Sequence, residues 1–298
     1  MTSLVATLIC DPARPILDDA AARSACAAVG ASAHDWLAPG IACDITLPEG
    51  ADAVAAEAAI RSAVNVAPVD VAVQPAQGRR KRLLIADMDS TMIDQECIDE
   101  LADMAGVKAY VAEITRRSMN GELAFEPALR ERVALLKDLP VSVIAQVLAT
   151  RITLAAGGRT LVATMRAAGA HTALVSGGFT AFTGPVAAMI GFDEQIANVL
   201  DEADGKLAGT VREPILGRAA KADSLNRICM RLAIGVDAAI AVGDGANDLD
   251  MLGIAGMGVA LHAKPAVAAQ SRIRIDHADL TALLYLQGYR HSEFVVPA

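Results

Sequence analysis

What this chain of 298 residues lacks narrows its function first. It holds 1 tryptophan, 3 tyrosines and 5 phenylalanines, 3% aromatic residues in all. Proteins that stack unpaired bases on aromatic side chains need more than that, so single-strand nucleic-acid recognition is disfavoured. Positive charge is also short. Against 35 aspartates and glutamates stand 26 lysines and arginines, a formal net charge of −9, and an acidic surface repels a phosphate backbone. No apolar run reaches the roughly 18 residues of a membrane span. Met1-Thr2-Ser3-Leu4 lacks the basic character that opens a secretory leader. The five cysteines, Cys10, Cys26, Cys43, Cys97 and Cys229, are odd in number, scattered and never spaced Cys-x-x-Cys. That pattern indicates neither a disulfide framework nor a zinc site. The expectations are a reducing cytoplasm, no nucleic-acid partner and no membrane.

What is present describes a globular chain. Hydrophobic residues make up 54% and charged residues 20%, too apolar for disorder, and the share held by alanine favours helices. At about 150 residues per domain, the length suggests two. Leu4–Ile9 reads as a strand, Leu17–Val29 as a helix, and Ala42–Leu47 as a strand with which the Trp36 region pairs. Ala51–Val64 reads as a helix and Val69–Val73 as a strand. That β-α-β-β-α-β order suits a small ferredoxin-like sandwich, with Trp36 as a packed anchor. Gln74-Pro75-Ala76-Gln77-Gly78 is rich in breakers and reads as a linker. Arg79-Arg80-Lys81-Arg82 reads as a solvated, charged approach to the next strand.

From Leu83 the pattern changes. Leu83–Ala86 is a short apolar run, as expected of a strand buried on both faces. A helical stretch from about Asp94 to Thr150, broken near Gly106, Gly121 and Pro140, gives about four helices. A helix at Gly158–Ala168 and a strand at Thr172–Val175 follow. Ile196–Val211, with Asp204-Gly205 at its centre, reads as a hairpin. Ala219–Leu232 reads as a helix, and Ala238–Val242, Gly258–Leu261 and Arg272–Ile275 as strands. Strands alternating with helices argue a parallel α/β sheet, with the helical block inserted after its first strand as a cap.

Four constellations fall at the ends of these elements. In Asp87-Met88-Asp89-Ser90-Thr91 two carboxylates point the same way on an extended backbone. Like charges that close call for a cation or a proton, and a hard cation such as Mg²⁺ takes oxygen ligands; taken alone, the segment also reads as an exposed acidic turn. Gly243-Asp244-Gly245-Ala246-Asn247-Asp248 follows another buried strand. It is no dinucleotide fingerprint, because the position of the third glycine is Asp248 and acids there repel a pyrophosphate. With Asp87 and Asp89 these acids could complete an oxygen-rich magnesium site. Val175-Ser176-Gly177-Gly178 offers a hydroxyl and free amides to phosphate oxygens. It is not a hydrolase nucleophile elbow, which needs glycine where Leu174 stands. Lys221, alone an ordinary helical lysine, could supply the fixed positive charge that phosphoryl transfer requires. The histidines His34, His171, His262, His277 and His291 show no metal-ligand spacing.

Asp-x-Asp-x-Thr, Ser-Gly-Gly, Lys and Gly-Asp-Gly-x-Asn-Asp, in that order, resemble the haloacid dehalogenase superfamily. Leu83 to about Gln287 further resembles its phosphoserine phosphatase branch, through Ile93-Asp94-Gln95-Glu96, Gly121-Glu122-Leu123-Ala124-Phe125, Leu129-Arg130-Glu131-Arg132-Val133 and Leu136-Lys137-Asp138-Leu139-Pro140. The N-terminal part resembles ACT-like regulatory domains in element order only. The resemblance implies a Rossmannoid parallel sheet with an inserted helical-bundle cap. Its division is an ACT-like, ferredoxin-like domain at 1–76, a linker at 77–82, a core at 83–93 and 155–298, and a cap at 94–154.

It also implies a Mg²⁺-dependent hydrolysis of O-phospho-L-serine to L-serine and phosphate, the last step of serine biosynthesis. By the family pattern Asp87 is the nucleophile that forms an aspartyl-phosphate, and Asp89 protonates the leaving oxygen and then activates water. Asp87, the Asp89 main-chain carbonyl and Asp244 would hold Mg²⁺, with Asp248 orienting waters or pairing with Lys221. Ser176, Gly177 and Lys221 would hold the phosphoryl group with Asn247 close by, Thr91 and Gly178 completing their motifs. In the cap, Glu96 would meet the substrate ammonium and Arg132 its carboxylate, under a lid containing Met119 and Phe125. Met88 stands where many members carry phenylalanine. The N-terminal part shows no ligand-binding glycine turn, so an amino-acid ligand there and a homodimer stay open. The competing readings are a sibling phosphatase or phosphotransferase on another small phosphorylated amino acid or alcohol, a non-catalytic amino-acid-responsive binding protein, and a phospho-aspartate receiver. Within the first, Glu96 and Arg132 argue against substrates lacking an amino-acid head; the intact Asp87, Asp89, Lys221 and Asp244 argue against the second, and the cap and Asp89 against the third.

Overall fold

In a computed structural model of the chain, residues 3–64 and 68–297 are described; Met1 and Thr2, which open the leader reading, lie outside them. The chain divides into two compact units. One comprises Met1–Lys81, Ala156–Gly169 and Ile273–Ala298, the other Arg82–Ala155 and Ala170–Arg272. Among the described residues no helix is long and apolar enough to cross a membrane.

The first unit begins with β1 (Leu4–Cys10), α1 (Asp19–Ala28), β2 (Asp35–Ala38), β3 (Ala42–Thr46), α2 (Ala53–Ala63) and β4 (Val69–Pro75). The strands form an antiparallel sheet in the order β2-β3-β1-β4, the ferredoxin-like arrangement. Both helices start later than their apolar patterns suggest, because an aspartate caps each. Asp18 accepts the Ala21 N–H at 2.8 Å and Asp52 the Ala55 N–H at 2.8 Å, satisfying donors that a helix start leaves open. Leu8, Ile45, Ile60 and Val71 lie in the core, and Trp36 packs against it while its indole N–H reaches Asp19 at 3.2 Å. Asp70 accepts the backbone N–H groups of Asp276, His277 and Ala278 at 2.8, 3.1 and 2.9 Å, which ties the last part of the chain to β4. The reading of Arg79 as solvated is corrected. Its guanidinium pairs with Asp44 at 2.6 Å and reaches Thr7 at 3.3 Å, because an arginine can bury its stem while a carboxylate holds its head.

The second unit holds β5 (Leu83–Ala86), α3 (Cys97–Met104), α4 (Lys108–Met119), α5 (Phe125–Ala134) and α6 (Ser142–Thr150). After α7 (Gly158–Ala167), which belongs to the first unit, come β6 (His171–Phe179), α8 (Thr180–Ile190), β7 (Glu194–Asn198), β8 (Leu200–Ala203), β9 (Lys206–Val211) and α9 (Arg218–Arg231). β10 (Ala239–Gly243), α10 (Leu249–Ile254), β11 (Met257–Leu261) and α11 (Pro265–Ala268) complete it. β12 (Ile273–Ile275) and α12 (Ala282–Leu286) fall in the first unit. Within the second unit the strands run parallel in the order β11-β10-β5-β6-β7. Every residue of β5 and β10 is buried, which is why these strands read as unbroken apolar runs.

Helices α3 to α6 form the inserted block between β5 and β6. Gly106 and Gly121, with φ of 74° and 78°, make the left-handed turns that separate them. The block leaves and rejoins the sheet through one clasp, in which Ile93 bridges Leu154, Asp94 N–H donates to Thr153 O at 3.1 Å and Ala155 N–H to Met92 O at 3.0 Å. The hairpin is shorter than the sequence suggests. Residues up to Asn198 join the parallel sheet as β7, and β8 and β9 alone turn back on each other at Asp204-Gly205, both at positive φ. Three backbone bonds stitch the α5–α6 connection to this hairpin: Asp138 N–H to Leu207 O at 3.0 Å, Leu207 N–H to Leu139 O at 2.9 Å and Val141 N–H to Gly205 O at 3.0 Å.

Candidate active site

Strand register builds the site. Ala86 of β5 is level with Val242 of β10 on one side and Leu174 of β6 on the other. Asp87 therefore follows the end of β5 directly, Asp244 follows β10 two residues beyond Val242, and Ser176 stands within β6 two residues beyond Leu174. Ligands of open α/β sheets sit at such ends. Asp87 is 3% exposed and Asp244 2%, so both carboxylates need partners.

Lys221 is the main one. Wholly buried on α9, it places Nζ 2.7 Å from Asp87 Oδ1 and 2.6 Å from Asp248 Oδ1. Burial alone would depress the lysine, but Asp248 and Asp87 outweigh it and hold Lys221 above its ordinary range. Burial pushes the Asp87 carboxyl well up; Asp248 and Asp244 add to this, and Lys221 pulls back. Asp248 also accepts the Gly245 N–H at 3.0 Å, and a Cβ on Gly243 would lie 2.3 Å from Asp248 Cγ. Only glycine allows that approach. Carboxylate oxygens of Asp87, Asp244 and Asp248 lie within 4.8 Å of one another. Asp244 is pushed up to about 6 by burial, against the pull of Lys264. Thr91 Oγ1 reaches it at 3.4 Å.

The second acid of the first motif faces the cap. Asp89 Oδ1 accepts the Cys97 N–H, the first of α3, at 3.0 Å. This starts that helix at Cys97 rather than Asp94. Burial raises the Asp89 carboxyl, and the Cys97 N–H works against the shift. A Cβ on Gly178 would stand 2.8 Å from Asp89 Oδ2, so the Ser-Gly-Gly segment must be bare there. That segment is a bulge within β6, with pairing that slips between Val175 and Phe179, rather than a turn after it. The Gly178 N–H bonds back to Ser176 Oγ at 2.9 Å.

One cavity of about 20 Å³ gathers Asp87 and Asp89 from the sheet, Ser176, Gly177 and Gly178 from the bulge, and Asn247 from the third motif. Its roof is Glu96, Met119, Phe125 and Arg132 of the cap. Glu96 takes the Ser90 hydroxyl at 2.7 Å, presented by a backbone at φ 55°. Its carboxyl is pushed well up by burial, then by Asp89 and Asp244. Arg132 is 2% exposed, and burial lowers its pKa. The cavity thus holds an acid and a guanidinium on its roof, and two carboxylates beside a pair of bare glycines on its floor.

Three neighbours carry no signal in the sequence. Lys264 pairs with Asp244 Oδ2 at 3.0 Å. Asn198 donates to Gly177 O at 2.8 Å and accepts the Leu216 N–H at 2.7 Å, holding the bulge. Thr115 bonds the Arg132 guanidinium at 3.0 Å. Each is a single residue of a common type, brought in by tertiary closure.

A profile of the haloacid dehalogenase-like hydrolase family matches residues 84–253. The chain belongs to that family. Asp87, Asp89, Ser176, Lys221, Asp244 and Asp248 all lie within the matched stretch. The phosphoserine phosphatase of Haemophilus influenzae is 43% identical over 223 residues, covering 75% of this chain and 70% of that one. The chain spans 55% of the length of two other curated relatives, from Streptomyces coelicolor and Mycobacterium tuberculosis. A solved phospho-aspartyl intermediate analogue of phosphoserine phosphatase is 39% identical, with a TM-score of 0.66 over 69% of this chain and 98% of that one. A HAD family hydrolase from Salmonella enterica serovar Typhi is 29% identical, with a TM-score of 0.84 over 96% and 98%. It extends the structural likeness to the N-terminal sandwich of this haloacid dehalogenase-family chain.

Proposed function

We propose that this chain hydrolyses O-phospho-L-serine to L-serine and phosphate, with Mg²⁺ as cofactor, in the cytoplasm, as the closing step of serine biosynthesis. The observation that carries this reading is the single cavity with Asp87 on its floor and both Glu96 and Arg132 on its roof. A phosphate ester of an amino acid needs an attacking group at one end and, at the other, a carboxylate for its ammonium and a guanidinium for its carboxylate. The likeness to phosphoserine phosphatases supports the same substrate.

Asp87 attacks phosphorus while Lys221 steadies its ionised form, and the bond to the serine oxygen breaks as the aspartyl-phosphate forms. The raised Asp89 carboxyl carries the proton that the departing oxygen takes, and then receives one from the water that opens the intermediate. Ser176 and the Gly177 amide hold the phosphoryl oxygens through the transfer. A cavity of about 20 Å³ has room for about one water, so the substrate enters with the cap moved aside and reacts with it closed.

The residues present fit a hard divalent cation. Three buried carboxylates converge within 4.8 Å, and two lysines, Lys221 and Lys264, are set against them. Asp87, Asp244 and the Asp89 carbonyl would hold the ion, with Asp248 beside them. When bound, it neutralises phosphate charge and polarises the reacting phosphoryl group.

Phosphate release from O-phospho-L-serine, compared with O-phosphoethanolamine and glycerol phosphate, tests the substrate. We expect a preference of about 100-fold or more in kcat/KM, the worth of one or two charged hydrogen bonds. Equal rates on all three esters would overturn it. The metal is tested by melting. Asp244 titrates near 6 in the metal-free protein, above its unfolded value of about 3.9. Its ionisation therefore costs the metal-free fold stability as pH rises through about 6, and the ionised form is the one that binds metal. Mg²⁺ at about 100 times its Kd should stabilise by about 2.7 kcal/mol, raising Tm by several degrees at pH 8 and by clearly less at pH 5. A Tm indifferent to Mg²⁺ at pH 8 would count against the site.

A further inference from the structure

Arg132 is buried, yet among the described residues no carboxylate forms an ion pair with it. Its Nε donates to Ala128 O at 3.1 Å and its Nη1 to Thr115 Oγ1 at 3.0 Å. Asp99 reaches it through that hydroxyl: Thr115 Oγ1 lies 2.7 Å from Asp99 Oδ1, while Glu96 and Asp89 also act on the guanidinium by charge. Val111 O is also within reach of the hydroxyl at 3.0 Å. A hydroxyl has one proton and two lone pairs. With the guanidinium donating to it, its proton goes to the carboxylate, the shorter and charged acceptor. The chain Arg132 to Thr115 to Asp99 is thus directional and complete. Thr115 is 3% exposed on α4, Asp99 sits on α3 and Arg132 on α5, so three cap helices meet in this relay.

We propose that Thr115 is a positioning residue for substrate choice, holding Asp99 at one hydroxyl's distance from Arg132. This rests on the reading of Arg132 as the partner of the substrate carboxylate. A bare guanidinium this deep is costly. A direct ion pair with Asp99 would remove that cost, but it would also occupy the planar fork that a substrate carboxylate needs. The hydroxyl passes some of the negative charge of Asp99 to the guanidinium and leaves the cavity-facing N–H groups open. A phosphate ester without a carboxylate makes no use of the arrangement.

The test pairs Thr115→Val, isosteric but without the hydroxyl, with Thr115→Ser, which keeps it. For each, KM and kcat are measured on O-phospho-L-serine, together with the Ki of O-phosphoethanolamine as a competitor, which keeps the amine and ester but lacks the carboxylate. In Thr115→Val, KM should rise about tenfold or more, the loss of one charged hydrogen bond, with kcat within about threefold and Ki unchanged. Thr115→Ser should keep KM near the wild-type value. An unchanged KM in Thr115→Val would overturn the proposal, as would KM and Ki rising together or a kcat that collapses in both variants, since those mark a merely structural threonine. If wild-type enzyme binds O-phosphoethanolamine as tightly as O-phospho-L-serine, it is the assignment of Arg132 to a carboxylate that fails, and the role of Thr115 falls with it.

Discussion

Asp87→Asn should lower kcat for O-phospho-L-serine by on the order of 10⁴-fold or more, the scale of losing a nucleophile. Asparagine matches aspartate in shape, and its carbonyl can still accept the Met88 N–H that Asp87 Oδ1 takes at 2.8 Å. The protein should therefore fold as before, with Lys221 keeping Asp248 as its partner at 2.6 Å. The variant loses only the negative oxygen able to form a bond to phosphorus. Phosphate release by steady-state assay, with melting as the fold control, decides the matter. A residual rate within about tenfold of wild type, in a folded variant, would mean that water attacks the ester directly and Asp87 only binds.

Lys221→Met should damage both stability and activity. Methionine fills a similar volume but leaves Asp87 and Asp248 buried without their shared cation. Breaking a buried ion pair by removing one partner costs roughly 3–5 kcal/mol, and losing a fixed charge beside the phosphoryl group should cost about 10²–10³ in kcat. The sign of the pH response separates this from general misfolding. Burial already raises the Asp87 carboxyl above its unfolded range, and removing Lys221 raises it further. An acid with a raised folded pKa gives stability that is present at low pH and lost as pH rises through that value. The variant's deficit should thus be larger at pH 8 than at pH 5, and Mg²⁺ should reduce it at pH 8. Denaturant titrations at the two pH values check this. A deficit that is small, or the same at both, would mean that the cluster does not depend on Lys221 for its charge balance.

Much of this site is legible in the sequence because its chemistry sits where a buried strand stops. Leu83–Ala86 and Ala239–Val242 are apolar throughout; the first is followed at once by Asp87 and the second by Gly243-Asp244, a juxtaposition few structural needs produce. Elements that depend on local rules are legible to within a few residues, and the aspartate caps of α1 and α2 explain the residual offset. What the sequence hides depends on who meets whom. Asn198 ends β7 as an ordinary polar residue, and only the parallel pairing of β6 with β7 puts its amide on Gly177. Lys264 and Thr115 are hidden for the same reason. Arg79 stands in a basic run that looks solvated, and only the fold brings Asp44 to it. The bulge at Ser176–Gly178 escapes notice because a glycine pair suits a turn and a slipped strand equally well.

The α5–α6 connection and the β8–β9 hairpin are hydrogen-bonded to each other through main-chain atoms. Asp138, Leu139 and Val141 meet Gly205 and Leu207 through amides and carbonyls. Such a seam constrains chain length far more than residue identity. Substitutions around 138–141 that keep the backbone path should be absorbed, whereas deleting a single residue from either strand of the seam shifts every donor off its acceptor. Over evolutionary time this corner should accumulate side-chain variety while its residue count stays fixed.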